Sequence, residues 1–179
     1  MPIDYNIPFK PISIAVLTIS DSRDLSCDIS GDTLVSLIEE SNHTVALRDI
    51  CKDDMANIFK ILCDWCKMPA IDAIITTGGT GVTGRDVTPE ALKMLISKKG
   101  GKEIPGFGEL FRQLSYQKIG TSTIQSRAMA VVSDGTYIFA LPGSKGACKD
   151  AWNDILITQL DYRHKPCNFV ELMPRLQEV

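Results

Sequence analysis

Along this chain, short runs of apolar residues alternate with stretches whose apolar positions recur every three or four residues. Ile12-Ser-Ile-Ala-Val-Leu-Thr-Ile19 is nearly all apolar and β-branched, as expected of a strand buried on both faces of a parallel sheet. The polar loop Ser20-Asp21-Ser22-Arg23 follows it. Gly31 and Asp32 then open a stretch with Leu34, Leu37 and Ile38 at helical spacing. Val45 to Ile50 reads as a second strand, and Asp53 and Asp54 directly after it can cap the next helix. Within that helix Met55, Ile58, Phe59, Leu62 and Trp65 form one apolar stripe, which Met68-Pro69 ends.

Ile71 to Thr76 predicts the third strand and runs straight into Thr77-Gly78-Gly79-Thr80-Gly81. Thr88-Pro89-Glu90 opens another helix, with proline at its favoured early position. Lys98 to Lys102 is a breaker, and Pro105-Gly106-Phe107-Gly108 leads as a loop into a helix through Tyr116. Ala128 to Val132 and Thr136 to Leu141 flank Ser133-Asp134-Gly135, a strong signal for an antiparallel hairpin. Pro142-Gly143-Ser144 caps a final helix, in which Ala151, Trp152, Ile155, Leu156 and Leu160 face one way.

This order predicts an α/β fold, a three-layer α/β/α sandwich with a mainly parallel sheet plus one antiparallel hairpin. Ligands of such sheets bind beyond the carboxyl ends of the strands. Four loops fall there: Ser20 to Arg23, Lys52 to Asp54, Thr76 to Asp86, and Leu141 to Lys145.

With 179 residues, 44% hydrophobic and 23% charged, the chain is expected to form one domain over residues 11–179, preceded by an arm of ten residues. A net charge of -3 argues against a general nucleic-acid or membrane-surface binder, and leaves room for a small anion held by a few local cations. No apolar run approaches the ~20 residues of a membrane helix. The first ten residues lack the basic-then-apolar order of a secretory signal. The expected place is the cytoplasm, where the cysteines at 27, 51, 63, 66, 148 and 167 are thiols. Cys63 and Cys66 lie on or beside the apolar stripe of their helix, so buried thiols are expected there rather than a zinc site. His43 and His164 belong to no motif and are expected at the surface or in packing.

The most informative segment is Thr76-Thr77-Gly78-Gly79-Thr80-Gly81 with its tail Val82-Thr83-Gly84-Arg85-Asp86. Glycines let a backbone approach a ligand closely, and successive amides can cradle anionic oxygens. The segment is neither the phosphate loop of nucleotide hydrolases nor the dinucleotide fingerprint. Arg85 and Asp86, side by side after the glycines, can together hold a phosphate and its magnesium.

TTGGTGVTGRDVTPEA resembles the MoaB/Mog family of molybdenum cofactor biosynthesis proteins. The likeness continues in Pro105-Gly106-Phe107-Gly108-Glu109, in Gly120-Thr-Ser-Thr123, Ser126-Arg127-Ala128 and Leu141-Pro142-Gly143-Ser144. It ends with Gln159-Leu-Asp-Tyr-Arg163 and Pro166-Cys-Asn-Phe169. The resemblance implies a molybdopterin-binding fold assembled as homo-trimers or homo-hexamers. It also implies magnesium-dependent adenylylation of molybdopterin by ATP, with Asp86 binding or orienting Mg²⁺. The family's other acidic position falls on Asp53, whose alternative role is the helix cap. Ser20 and Asp21 match a family position lining the substrate pocket, although Ser-Asp alone reads as a turn. Substrate contacts are further implied for Thr77, Gly78, Gly79, Thr80, Gly81, Arg85, Gly106, Ser126, Pro142, Gly143 and Ser144. Glu109 would accept from pterin N–H groups, or be a solvated helix residue. Arg127 would pair with phosphate, or form a surface ion pair. Two departures stand out: lysine replaces proline at position 52, and Leu141-Pro-Gly-Ser-Lys145-Gly lacks a later proline. They keep open a second expectation, a molybdopterin carrier that does not turn over ATP. Apolar residues Ile3, Tyr5, Ile7 and Phe9, and Phe169, Val170, Leu172 and Met173, are expected to pack on neighbouring copies.

Overall fold

Side chains along a strand alternate between the two faces of a sheet, and here both faces are covered. The computed structural model describes residues 3–178; the first two residues of the expected arm and residue 179 lie outside it. In β1 (Ser13–Ile19), Ile14 and Val16 enter one core while Ala15, Leu17 and Ile19 enter the other. α1 (Ile29–Glu40) adds Leu34 and Ile38 to the first core. β2 (Thr44–Cys51) pairs in parallel with β1 along one edge. α2 (Met55–Cys66) crosses to the second core, and β3 (Ala73–Thr77) pairs in parallel on the other side of β1. α3 (Thr88–Lys99) joins α2 on that face.

The remaining elements complete the sheet and the first core. They are β4 (Lys102–Glu103), α4 (Pro105–Ile119), a 3₁₀ turn (Gly120–Gln125), β5 (Met129–Ser133) and β6 (Thr136–Leu141). α5 (Lys145–Ala151) continues through a π turn (Trp152–Leu156) into α6 (Ile157–Gln159), and α7 (Phe169–Leu172) follows. The strand order is β2-β1-β3-β6-β5-β4. β2, β1, β3 and β6 run parallel; β5 is antiparallel to both its neighbours. α1, α4 and α5 cover one face, α2 and α3 the other, which is the expected three-layer sandwich.

The structure moves several expected boundaries. α1 begins at Ile29, not Gly31, because the Asp28 carboxylate accepts from the Gly31 amide at 2.9 Å and caps the helix there. Ile29 is 60% exposed, so the apolar spacing carried no trace of that first turn. Pro105 to Gly108 is the opening turn of α4, with proline at an early helical position, rather than a loop. The breaker at 98–102 hides β4, a two-residue edge strand with both side chains exposed. The hairpin is as expected: Asp134 and Gly135 both have positive φ, 48° and 81°, as a two-residue type I′ turn requires. Met55 is exposed and the stripe of α2 shifts onto Ile58, Leu62, Cys63, Trp65 and Cys66. Burial pushes the Cys66 thiol up to about 12 and raises Cys63 as well, so both are inert protonated thiols at neutral pH.

Parts of the terminal segments pack on their own chain, while Tyr5 (80% exposed) and Leu172 (41%) face outward. Phe169 lies 4.8 Å from the ring of Tyr137 and 5.6 Å from that of Phe139, and Val170 is buried. Their apolarity therefore serves this chain's own core. Phe9 packs on His43, whose Nδ1 accepts the Ile12 amide, and Ile3 bridges to His164. Among the described residues, no helix is long and apolar enough to cross a membrane.

Candidate functional site

The chain leaves β1 toward β2 and then returns past β1 to β3, so successive crossovers diverge between β1 and β3. Loops leaving two such strands cannot fill the gap between them, and a crevice forms at their carboxyl ends. A cavity of about 480 Å³ occupies that place, between Ser20 to Arg23 after β1, Gly78 to Gly81 after β3, and Pro142-Gly143 after β6. Ile19, Asp53, Arg85, Asp86 and Ser126 complete its lining. A second cavity of about 590 Å³ adjoins it and shares Ser20, Asp21 and Arg23; Leu25, Ile50, Cys51 and Lys52 line its far side.

The glycine turn is held from behind. Gly78 (φ 111°) and Gly79 (φ 63°) adopt conformations that favour glycine, and a Cβ on Gly78 would strike the Ile19 carbonyl. The four carbonyls from Gly78 to Gly81 all accept from the scaffold. Gly78 takes the Thr88 hydroxyl at 2.8 Å and Gly79 the Thr88 amide at 3.0 Å. Thr80 takes the Arg127 amide at 2.9 Å and Gly81 the Arg127 Nε at 2.6 Å. Among the described residues, the amides of Gly79 and Thr80 have no protein acceptor. With the carbonyls engaged, these two amides are the groups left to an anion in the crevice.

Three carboxylates border the turn, each in a different state. Asp54 caps α2, accepting from the Asn57 amide at 2.7 Å, so the cap role left open between Asp53 and Asp54 falls to Asp54. Asp53 is thereby free and lies against the turn: a Cβ on Gly79 would come within 2.7 Å of its Oδ1. Burial, then the nearby Asp21 and Asp86 carboxylates, raise the Asp53 pKa against the opposing pull of Arg85. Asp86 behaves oppositely. Burial would raise it, but hydrogen bonds from the Thr83 amide (2.9 Å) and hydroxyl (2.6 Å), and from the Gly81 amide, leave it below its ordinary value. Asp21 is ion-paired to Arg85 across the mouth of the crevice. Asp53 is thus a partly desolvated carboxylate facing like charges, the electrostatic situation that a bound cation relieves.

Magnesium binds through one or two carboxylates together with substrate phosphates and water, rather than in an all-protein cage. Among the described residues no three metal-ligating side chains converge. The donor set beside the turn, Asp53 with Asp86 next to it, has the composition a phosphate-bound Mg²⁺ uses.

Most of the expected residues meet at this crevice: Ser20, Asp21, Asp53, Gly78, Gly79, Thr80, Gly81, Arg85, Asp86, Ser126, Pro142 and Gly143. Thr77 is buried beneath, its hydroxyl donating to the Pro142 carbonyl at 3.0 Å. Ser144 caps α5. Gly106, in the first turn of α4, and Glu109, just beyond it, are exposed and are not part of the crevice lining. Arg127 turns its guanidinium inward, to the Gly81 and Asp86 carbonyls and Glu90. Of the two departures, Lys52 lines the adjoining cavity, while Lys145 begins α5 in solvent.

Sequence reasoning passed over Arg23, which donates to the Gly143 carbonyl (3.2 Å) and ties the β1 loop to the β6 loop with help from Ser30. Its position in a polar loop at a strand end was the available signal. Thr88 and Glu90 were read only as helix openers.

Residues 15–162 match a family described as "Probable molybdopterin binding domain". Molybdenum cofactor biosynthesis protein B of Escherichia coli strain K12 is 44% identical over 161 residues, covering 90% of this chain and 92% of that relative. A crystal structure of molybdenum cofactor biosynthesis protein B superimposes with a TM-score of 0.83 at 36% identity, over 95% of this chain and 98% of the other. The tungsten cofactor synthesizing protein MoaB from Pyrococcus furiosus gives 0.68 at 31% identity, over 82% and 91%. The crevice with its glycine turn falls inside the matched region, and the chain belongs to the molybdopterin-binding domain family that includes the MoaB and Mog molybdenum cofactor biosynthesis proteins.

Proposed function

We propose that this protein acts in molybdenum cofactor biosynthesis, binding molybdopterin and adenylylating it with Mg-ATP in the cytoplasm. The observation that carries this reading is the pair of amides at Gly79 and Thr80, free of protein acceptors beside an Asp53 carboxylate that is not used as a cap. Family membership supplies the pterin, and two adjoining cavities give room for two substrates over a shared floor of Ser20, Asp21 and Arg23. Six free thiols suit a reducing compartment.

In this reaction a phosphate oxygen of molybdopterin attacks the α-phosphorus of ATP; the bond from that phosphorus to the β-phosphate oxygen breaks, and pyrophosphate leaves. Little covalent help is required, so catalysis rests on positioning and on offsetting charge. The Gly79 and Thr80 amides hold phosphate oxygens, Arg85 adds a cation at the mouth, and Asp53 with Asp86 would hold Mg²⁺. Bound there, the metal supplies charge neutralisation for the two anionic substrates. Arg85 must let go of Asp21 to reach a phosphate; because the pair is exposed, this costs about 1 kcal/mol or less.

The test is pyrophosphate release from ATP with purified molybdopterin and magnesium. Wild type is expected to turn over, and Asp86→Asn to fold normally while losing at least 100-fold in rate, the scale of misplacing a reacting group. Pterin binding without ATP binding or pyrophosphate release would replace this reading with that of a carrier. The assembled state is proposed to be a homo-trimer or homo-hexamer, supported by exposed Tyr116 and Ile119 at the end of α4 and Ile124 on the 3₁₀ turn after it.

A further inference from the structure

Arginine near a phosphate site invites the role of ligand, but the Arg127 guanidinium faces the scaffold. All three of its nitrogens donate: Nε to the Gly81 carbonyl at 2.6 Å, Nη2 to the Asp86 carbonyl at 2.6 Å, and Nη1 to Glu90. Its own amide holds the Thr80 carbonyl. One residue thus grips the turn at three successive points, before, at and beyond the last glycine. Glu90 stands on the first turn of α3, two residues after Thr88, which holds the Gly78 and Gly79 carbonyls. Glu90 is absent from the crevice lining, and the Glu90–Arg127 pair is about a third exposed.

We propose that Glu90 and Arg127 form a positioning pair. It clamps the Thr80, Gly81 and Asp86 carbonyls against α3, so that Arg127 serves the phosphate site through the backbone, fixing the Gly81 N–H on the Asp86 carboxylate, and not by touching the ligand. A peptide unit sets one residue's carbonyl opposite the next residue's N–H. Arg127 on the Thr80 carbonyl therefore commits the Gly81 N–H, which the Asp86 carboxylate takes, while Thr88 on the Gly78 and Gly79 carbonyls commits the Gly79 and Thr80 N–H groups. Gly78 and Gly79, at positive φ, do not hold their orientation unaided, because the mirror conformations cost glycine little. Thr88 holds that end of the turn, and the Arg127–Glu90 link to the same helix holds the other. The planar fork of arginine can bond two carbonyls and a carboxylate at once, which a lysine ammonium on its flexible stem cannot match. Glu90 supplies the charge that keeps the fork turned inward. This proposal rests on the reading of the turn as a phosphate site.

The two possible roles of Arg127 respond with opposite sign to loss of Glu90. If Arg127 touched the ligand, removing its competing carboxylate would release it and tighten phosphate binding. If it positions the turn, removing Glu90 loosens the clamp and weakens binding. The experiment is calorimetric titration of inorganic pyrophosphate with magnesium into wild type, Glu90→Ala, Glu90→Gln and Arg127→Lys, with the amide resonances of Gly79, Thr80 and Gly81 followed in the unliganded proteins. Affinity is expected to fall about tenfold in Glu90→Ala, the lower end for removal of an outer partner of a site. Glu90→Gln, which keeps a neutral acceptor, is expected to recover part of the loss, and Arg127→Lys to resemble Glu90→Ala. The three amide resonances should move in Glu90→Ala at an unchanged thermal midpoint. Equal or tighter binding by Glu90→Ala, or amide resonances that stay in place, would overturn the positioning pair alone. A wild type that binds no pyrophosphate would overturn the phosphate reading and, with it, this proposal.

Discussion

At the scale of single residues, the adjacent acids Asp53 and Asp54 show how much backbone geometry decides. Both are good caps by type, and the sequence alone could not separate them. The chain caps α2 with Asp54, in extended conformation, and this leaves Asp53 against Gly79 with burial and two carboxylates raising its pKa. An acid whose folded pKa lies above its unfolded value binds its proton more tightly when folded. It therefore costs stability once the pH rises through the unfolded value of about 3.9. Asp53→Asn is accordingly expected to raise the thermal midpoint at neutral pH, with the gain vanishing in acid. The same change should weaken binding of magnesium pyrophosphate at least tenfold, by analogy with loss of other metal-site groups. Thermal melts over a pH series beside calorimetry check both; a lowered midpoint at neutral pH would show that Asp53 is structural. Arg127 was legible as an arginine near phosphate, but the direction of its guanidinium depends on Glu90, brought beside it from α3, and no spacing encodes that.

At the scale of elements, strands buried on both faces were the easiest to read, since continuous β-branched runs have few other uses. The Asp-Gly hairpin and the proline opening of α3 were equally plain. Elements without an apolar signature were missed or shifted: β4 is one lysine and one glutamate, and the first turn of α1 carries an exposed isoleucine. α4 differs again, because part of its apolar content faces outward. Leu110, Tyr116 and Ile119 are 41%, 58% and 56% exposed, and Ile124 on the following turn is 81% exposed. Leu110 lies on another side of the helix from the rest, but Tyr116 and Ile119, one turn apart at its end, and Ile124 just after it suit the proposed interface between copies of this chain. Light scattering is expected to give a trimer or hexamer for wild type. Tyr116→Lys with Ile124→Lys should reduce the assembled mass while circular dichroism stays unchanged. A wild-type monomer at working concentration would contradict the proposed assembly.

At the scale of the whole molecule, the strand order creates the crevice and the loops give it chemistry. Glycine amides face acids across a gap that diverging crossovers leave open. The modest negative net charge matters little to the proposed reaction, in which a phosphate at the turn would meet local dipoles and Arg85 rather than the overall field. Lys52 brings a further cation to the adjoining cavity. In the proposed reaction everything depends on phosphate oxygens binding at the free amides of the turn. The most direct measurement is a titration of the isotopically labelled protein with Mg-ATP, followed through its backbone amide resonances. The predicted result is that Gly79 and Thr80 show the largest changes, with Asp53 and Asp86 next. Largest changes at the opposite end of the sheet, or none at the turn under saturating Mg-ATP, would contradict it.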